Sequence, residues 1–253
     1  MLLHGITQLV PASLRRTLKK ALMALPSRRI YQRALAGKRG IEIGGPSSIF
    51  ATIIPVYQIV GDLDGANFSA NTIWEGSITE GRTYNYHGKR TGTQYVVEAA
   101  NLSGIADHAY DFVLSSNCLE HCANPLKALK EWTRVIDKGG SVLLVLPDKQ
   151  SNFDHKRPVT SFAHLVKDYE DDTQEDDLTH LPEILELHDL TRDPPAGTPE
   201  EFAQRSRNNL QNRTLHHHVF DQDLMAAMFG FVGLELVQAD TANGNFIALG
   251  MLK

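Results

Sequence analysis

Cysteine is almost absent: Cys118 and Cys122 are the two in 253 residues. They stand four apart on an expected helical turn, where a disulfide would close almost no loop and stabilise little. A disulfide-built secreted domain is thereby excluded, and the pair reads as two buried thiols. His121 lies between them, but a fourth ligand is missing, so no metal site is expected there.

Long apolar runs are missing too. No stretch approaches the roughly 18 residues that a membrane-spanning helix needs. Arg15, Arg16, Lys19 and Lys20 interrupt the region where a secretory signal would keep an unbroken apolar core. A cytoplasmic location is the expectation. Internal repeats and low-complexity linkers are also absent. Residues 1–40 have no Asp or Glu and carry nine Lys or Arg; the remainder holds 16 basic against 30 acidic residues, net −14. The plain reading is a basic helix docked on an acidic body. The alternative is peripheral contact with a membrane through residues 1–40, because Leu14, Leu18, Leu22 and Leu25 form an apolar stripe opposite Arg15, Lys19 and Arg28. Nucleic acid is not expected as a partner, since a second basic patch with interleaved aromatics is lacking. Nothing in the composition speaks to oligomeric state.

What is present describes an ordinary globular chain, 42% apolar and 22% charged, long enough for one large α/β domain or a domain with a substantial cap. Helices are predicted over 11–25 and 27–36, and strands over 40–44, 56–61, 94–98 and 110–115. Residues 65–93 read as polar loop with at most a small hairpin. The best-marked element is a helix over 125–136: Asn124 can cap it, Pro125 suits its first turn, and Leu126, Leu129, Val135 and Ile136 share a face. Asp137-Lys138-Gly139-Gly140 stops it, and Ser141 to Leu146 form a continuous apolar strand. A helix from Asp221 to Gly230 and a strand pair over 232–238 and 245–252 finish the chain. Strands alternating with helices predict an α/β fold with a parallel sheet covered on both faces.

Residues 148–220 break this rhythm. They carry the acidic run Asp168, Glu170, Asp171, Asp172, Glu175, Asp176 and Asp177, and seven of the eleven histidines. A solvated face is the plain reading. A segment this long leaving the carboxyl edge of a sheet nevertheless lies where ligands bind in open α/β folds, and it is expected to be a substrate cap.

Two stretches carry a family resemblance. Ile41-Glu42-Ile43-Gly44-Gly45-Pro46-Ser47-Ser48 puts an acid on an apolar run that breaks into a glycine turn. Then Tyr110-Asp111-Phe112-Val113-Leu114, Leu119-Glu120-His121, Arg134-Val135-Ile136 and Gly139-Gly140 follow in order. From residue 39 to 148, and more weakly from 221 onward, the chain resembles the class I S-adenosylmethionine-dependent methyltransferases of the type 11 kind. The resemblance implies a Rossmann-like, doubly wound seven-stranded sheet, mostly parallel with an antiparallel last strand. It would span residues 39–253, with 148–220 inserted as a cap and 1–38 a basic helical segment in front.

The resemblance also implies S-adenosyl-L-methionine as cofactor. Glu42 would sit near its methionine portion, with Gly44, Gly45, Pro46 and Ser47 forming the turn beneath. An acid some twenty residues on would take the ribose hydroxyls; Asp64 is favoured and Asp62 is the alternative. Glu98, Ala99, Asn101 and Leu102 would meet the adenine, and Ser116 and Asn117 would border the methionine end. Pro46 and Ser48 depart from the family's three-glycine turn, and the proline removes a backbone donor. A nicotinamide dehydrogenase on a similar sheet is disfavoured, because no Gly-x-Gly-x-x-Gly spacing follows residue 44 and Glu42 would face an anion.

The second half is similar to a bacterial subgroup of these enzymes, through Phe153-Asp154-His155-Lys156-Arg157-Pro158, Asp177-Leu178-Thr179-His180-Leu181 and His216-His217-His218-Val219-Phe220. The expected reaction is O-methylation of a polar small molecule or sugar-containing glycan acceptor, aided by a histidine general base whose pKa lies near neutrality. His155 and His180, each beside an acid, lead; His121 beside the cofactor is the third candidate. No metal is expected: a divalent ion would have to join the histidine triplet to Asp154 or Asp177, but adjacent residues of a strand face opposite ways. The alternative function is a catalytically silent partner of the same fold, tethered to a membrane-associated glycan assembly.

Overall fold

The computed structural model describes residues 27–88 and 90–253. The helix expected over 11–25, and with it the stripe that suggested membrane contact, lies outside them. Among the described residues no helix is long and apolar enough to cross a membrane.

Helix α1 (Arg28–Leu35) buries Tyr31 and Leu35 and leads into β1 (Arg39–Ile43), a short helix α2 (Ser48–Thr52) and β2 (Asp62–Asn67). A two-residue ladder, β3 (Asn71–Thr72) with β4 (Gly76–Ser77), precedes the hairpin β5 (Gly81–His87) and β6 (Arg90–Val96). Next come β7 (Tyr110–Ser116), α3 (Pro125–Val135) and β8 (Ile136–Pro147). The 148–220 segment holds α4 (Phe162–Glu170), α5 (Leu181–Leu187), α6 (Pro199–Arg207) and α7 (Asn209–Asn212). Helix α8 (Gln222–Phe231) and the strands β9 (Leu234–Ala242) and β10 (Asn245–Leu252) close the chain.

The main sheet has eight strands in the order β5-β6-β2-β1-β7-β8-β10-β9. Of the five pairings from β6 to β10 the first four are parallel; β10 runs antiparallel to β8 and then to β9. The fold is α/β and Rossmann-like, but the strand count exceeds the expected seven because β5 adds an antiparallel edge to β6. That edge was hidden by composition: in Gly-Arg-Thr-Tyr-Asn-Tyr-His only Tyr84 and Tyr86 are buried hydrophobics.

Alternation along the strands builds a core on each face. On β8, Val142, Leu144 and Leu146 pack with Leu126, Leu129 and Trp132 of α3 and Met228 of α8. Leu143 and Val145 turn the other way, towards Tyr31, Leu35, Phe50 and Ile54. A continuous apolar run is therefore what a strand covered on both faces requires. The start of α3 is fixed as its sequence implies, with Asn124 Oδ1 accepting from Lys127 N at 3.0 Å and Pro125 at the first turn.

The strand expected over 56–61 is a turn instead. Val56, Tyr57 and Val60 are buried but pack beside α1 and α2, and the strand begins at Asp62. Asp-Leu-Asp-Gly-Ala-Asn has poor strand propensity; its central place between β1 and β6 overrides that. Gly65 is needed there, because a Cβ would lie 2.2 Å from the Tyr84 ring.

Candidate functional site

The strand order reverses direction between β1 and β7, and a cavity of about 620 Å³ opens at the carboxyl ends of the strands beside that point. This is where ligands bind in open α/β sheets, and the volume suits a small organic ligand. The turn after β1 supplies Gly44, Pro46 and Ser47 to its wall. Gly44 has φ +77°, and a Cβ there would come within 2.7 Å of Cys118 Sγ. Only glycine lets this turn close against the residues after β7. Ser47 caps α2, its side chain accepting from Ile49 N at 3.2 Å.

Glu42 does not reach the cavity. Its buried carboxylate accepts from Tyr84 Oη (2.7 Å), Tyr57 Oη (2.7 Å) and Ser47 N (2.9 Å). Burial raises its pKa to about 7, outweighing the lowering by these three donors. Strand alternation is the reason: neighbouring Ile43 and Gly44 face the cavity while Glu42 faces Tyr57 and Tyr84. Glu42 thus anchors the turn from behind. Gly45 is also set back: a Cβ there would meet the Glu42 carboxyl at 2.2 Å, and its carbonyl accepts from Asn67 Nδ2 at 3.1 Å.

Neither ribose candidate lies in the cavity wall. The register that starts β2 at residue 62 places Asp62 opposite Arg39 and Asp64 opposite Ile41, away from the strand's carboxyl end. Asp64 accepts there from Thr93 N (2.7 Å), Tyr110 Oη (2.9 Å) and Arg39 Nη2 (3.1 Å). Asn67 and Phe68 occupy the end of the strand instead.

After β6, Glu98 and Ala99 line the cavity as expected. Asn101 and Leu102 do not: a bridge between Glu98 and Asn101 turns the chain back, and Leu102 is buried with its N–H on Glu131 Oε2 at 2.9 Å. Ser116 and Asn117 do line it, and Ser116 Oγ is buried without a hydrogen-bond partner.

The far wall comes from residues 118–122 and the 148–220 segment. His121 is there; His155 and His180 are not. His155 pairs with Asp189 at 2.8 Å, and His180 faces His164 at 3.0 Å. The histidine triplet reaches the cavity through His216, which is not one of the three leading base candidates and whose Nδ1 lies 2.5 Å from Asp154 Oδ2. Burial lowers the His216 pKa, but Asp154 more than reverses this and the net shift is upward. The same contact, with Arg157 beside it, holds Asp154 down at about 2 despite its own burial. Both the Phe-Asp-His and the triple-histidine segments therefore contribute, but through Asp154 and His216; a pairing across 62 residues leaves no local signal.

His121 is the complement of His216. Its Nδ1 lies 3.0 Å from the Leu215 carbonyl, which can only accept, so Nδ1 carries the proton and Nε2 keeps a lone pair. Burial, and then His216, push its pKa well below the usual value. The two rings meet at 75° with centroids 4.7 Å apart, and Trp74 stands 5.2 Å from His121 on another side. Glu120, which sequence reasoning missed, is buried with Oε2 unpartnered, and desolvation raises its pKa to about 7. Glu120, His121 and His216 offer ligand atoms within 4.8 Å of one another, close enough to pass a proton or hold a cation.

The charge of the wall tests the expected cofactor. Glu98 and Glu175 are matched by Arg213 at 2.7 and 2.6 Å, and Asp193 by Arg205 at 3.3 Å. Among the described residues no Lys or Arg pairs with Glu75 or Glu120, which also line the cavity. Two acidic side chains without a Lys or Arg partner suit a ligand with a sulfonium and an ammonium group, which would favour their charged form, so the residues present fit S-adenosylmethionine.

Comparison with known proteins agrees. Residues 58–144 match the family described as Methyltransferase domain. None of the curated proteins matches the sequence. The fold is similar to an S-adenosylmethionine-dependent methyltransferase from Mesorhizobium loti, at 10% identity and a TM-score of 0.52, covering 89% of this chain and 96% of that one. It is similar also to a protein from Pyrococcus horikoshii OT3, at 14% identity and a TM-score of 0.51, covering 96% and 92%. The chain thus has the Rossmann-like methyltransferase fold, and S-adenosyl-L-methionine is the cofactor that the domain match supports.

Proposed function

We propose that this protein is an S-adenosylmethionine-dependent methyltransferase that methylates a hydroxyl of a polar, sugar-like acceptor, with residues 148–220 as the substrate cap and His121 as general base. The observation that carries the reading is the neutral His121, whose lone pair on Nε2 is set by the Leu215 hydrogen bond in the wall that closes the cavity. Bound S-adenosylmethionine supplies a methyl group on cationic sulfur. The protein's part is to align the acceptor with that methyl and to take its proton.

A hydroxyl is almost fully protonated at pH 7, so a neutral imidazole at contact distance is useful, while an imidazolium is not. Glu120 stands within ligand distance of His121 and stabilises the imidazolium as it forms. The His216–Asp154 pair, held by Arg157, stands beside His121. Asn152, Thr214 and Arg205 line the same region and suit a hydroxylated acceptor. Gly44, Pro46, Ser47, Glu98, Ala99, Ser116 and Asn117 are the cofactor contacts retained from the sequence reading. No observation favours the silent-partner alternative.

The test is transfer of labelled methyl from S-adenosylmethionine to a panel of mono- and oligosaccharides, with small amines and phenols as comparators. Incorporation into a sugar hydroxyl, lost in His121→Gln while S-adenosylhomocysteine still binds by calorimetry, is the expected result. Incorporation only into amines, or full activity in His121→Gln, overturns the reading.

A further inference from the structure

Outside the cavity, His164, Asp168, His180 and His218 bring one ligand atom each to a common point, all four within 4.8 Å of one another. His164 and Asp168 are one turn apart on α4; His180 immediately precedes α5; His218 lies in the extended return that leads to α8. The separations are 3.0 Å for His164 Nε2 to His180 Nε2, 3.3 Å for His164 Nε2 to Asp168 Oδ2, and 3.7 Å for His218 Nε2 to Asp168 Oδ2. A tetrahedron around zinc, with bonds of about 2.0–2.1 Å, has edges of about 3.3 Å.

The cluster is poorly satisfied by protein alone. Asp168 Oδ2 is buried and has no hydrogen-bond partner. Two Nε2 atoms face each other, so at most one can donate to the other. His218 Nε2 also lies 3.1 Å from the Ala123 carbonyl, a hydrogen bond that ligation would replace by displacing its proton. Thr173 Oγ1 donates to Asp168 Oδ1 at 3.3 Å and orients the carboxylate, as outer partners do in metal sites. His164 is partly exposed and provides an entry path.

We propose that His164, Asp168, His180 and His218 form a structural site for a divalent metal of the zinc type, which staples α4, the turn before α5 and the 216–220 return into one wall. Three imidazoles and one carboxylate suit zinc better than calcium or magnesium, which favour oxygen ligands. The site is closed by four protein ligands, as structural zinc sites are. It does not depend on the methyl-transfer reading, because none of its four ligands lines the cavity. It also amends the expectation of no metal: residue 218 of the triplet takes part, while 216 turns to Asp154 and 217 to Asn209.

The experiment is metal analysis of the purified full chain, followed by stripping with a chelator and titration with Zn²⁺, and with Co²⁺ as a spectroscopic probe. The expected result is one Zn²⁺ per chain, tetrahedral visible bands with Co²⁺, and a rise in Tm of roughly 5–10 °C at metal a hundredfold above Kd. His180→Asn and Asp168→Asn should abolish all three; if either fails to fold, the more exposed His164→Gln serves in its place. Absence of tight uptake overturns the proposal. So does uptake that survives these substitutions and disappears in His121→Gln, which would place the ion in the cavity.

Discussion

Tyr84 donates its hydroxyl to Glu42 at 2.7 Å, joining the edge strand β5 to the central strand β1 across the width of two strands. Tyr57 donates to the same carboxylate, and the carboxylate in turn holds Ser47 N. Glu42 is therefore the fixed point from which the cavity-lining turn hangs. Glu42→Ala leaves the two buried tyrosine hydroxyls without this acceptor, at about 1–3 kcal/mol each before relaxation, while Ser47 N keeps Tyr57 Oη at 2.7 Å. A loss on the order of 3 kcal/mol in urea unfolding is expected, with S-adenosylhomocysteine binding weakened at least tenfold. Unchanged stability with abolished binding would instead mean that Glu42 touches the ligand.

Gly44 makes a second, independent test of the turn. Its positive φ and the 2.7 Å approach to Cys118 Sγ leave no room for a methyl group. Gly44→Ala should cost about 1–3 kcal/mol of stability and weaken cofactor binding. Gly37→Ala, also at positive φ but with open space around it, should be destabilised less and bind normally. Equal binding by both variants would refute the close-packing argument.

The two cavity histidines should separate in kinetics. His121→Gln is expected to lower kcat by about 10²–10⁴, the usual contribution of a general base, with little change in S-adenosylhomocysteine affinity. The neutral form of His121 is favoured by a pKa well below 6.5, so wild-type activity should stay level from pH 7 upward and decline only on the acid side. His216 is one of the groups that lower that pKa. His216→Gln should therefore shift the acid limb to higher pH, whereas a purely structural role would leave the limb in place.

Glu120 predicts a pH dependence of stability. Its folded pKa of about 7 exceeds the ordinary 4.5, so between those values the folded state holds a proton that the unfolded state has lost. Stability from this group is full below about pH 4.5 and falls as pH rises to 7. A shift of this size corresponds to about 3 kcal/mol. Glu120→Gln should be close to neutral at pH 5 and stabilising at pH 8 in the ligand-free protein, by denaturant unfolding at the two pH values. A cationic ligand should shrink the difference, because it favours the charged carboxylate.

The order of helices and strands could be read from the sequence wherever apolar periodicity was clean: α3, β7 and the closing α8, β9 and β10 all lie within a few residues of expectation, whereas β8 already starts at Ile136 and takes in the expected Asp137–Gly140 stop. It was misleading at β2, where Val56, Tyr57 and Val60 look like a strand and the true strand is written in Asp, Gly and Asn. That displacement removed both ribose candidates from the cavity. The site was legible in kind but not in detail. The glycine turn and the Asp154 and histidine segments are real parts of the molecule, yet the working partner of Asp154 is His216, far along the chain. Burial also reassigned Glu42, because a carboxylate on a central strand must find donors within the protein.

Trp74 and Trp132 are the chain's two tryptophans, and the fold treats them oppositely. Trp132 is fully buried with its indole N–H on the Ala99 carbonyl, whereas Trp74 is half exposed at the cavity mouth beside His121. The protein thus contains a native optical reporter: ligand entry will alter the emission of one indole over a constant background from the other, without any attached dye.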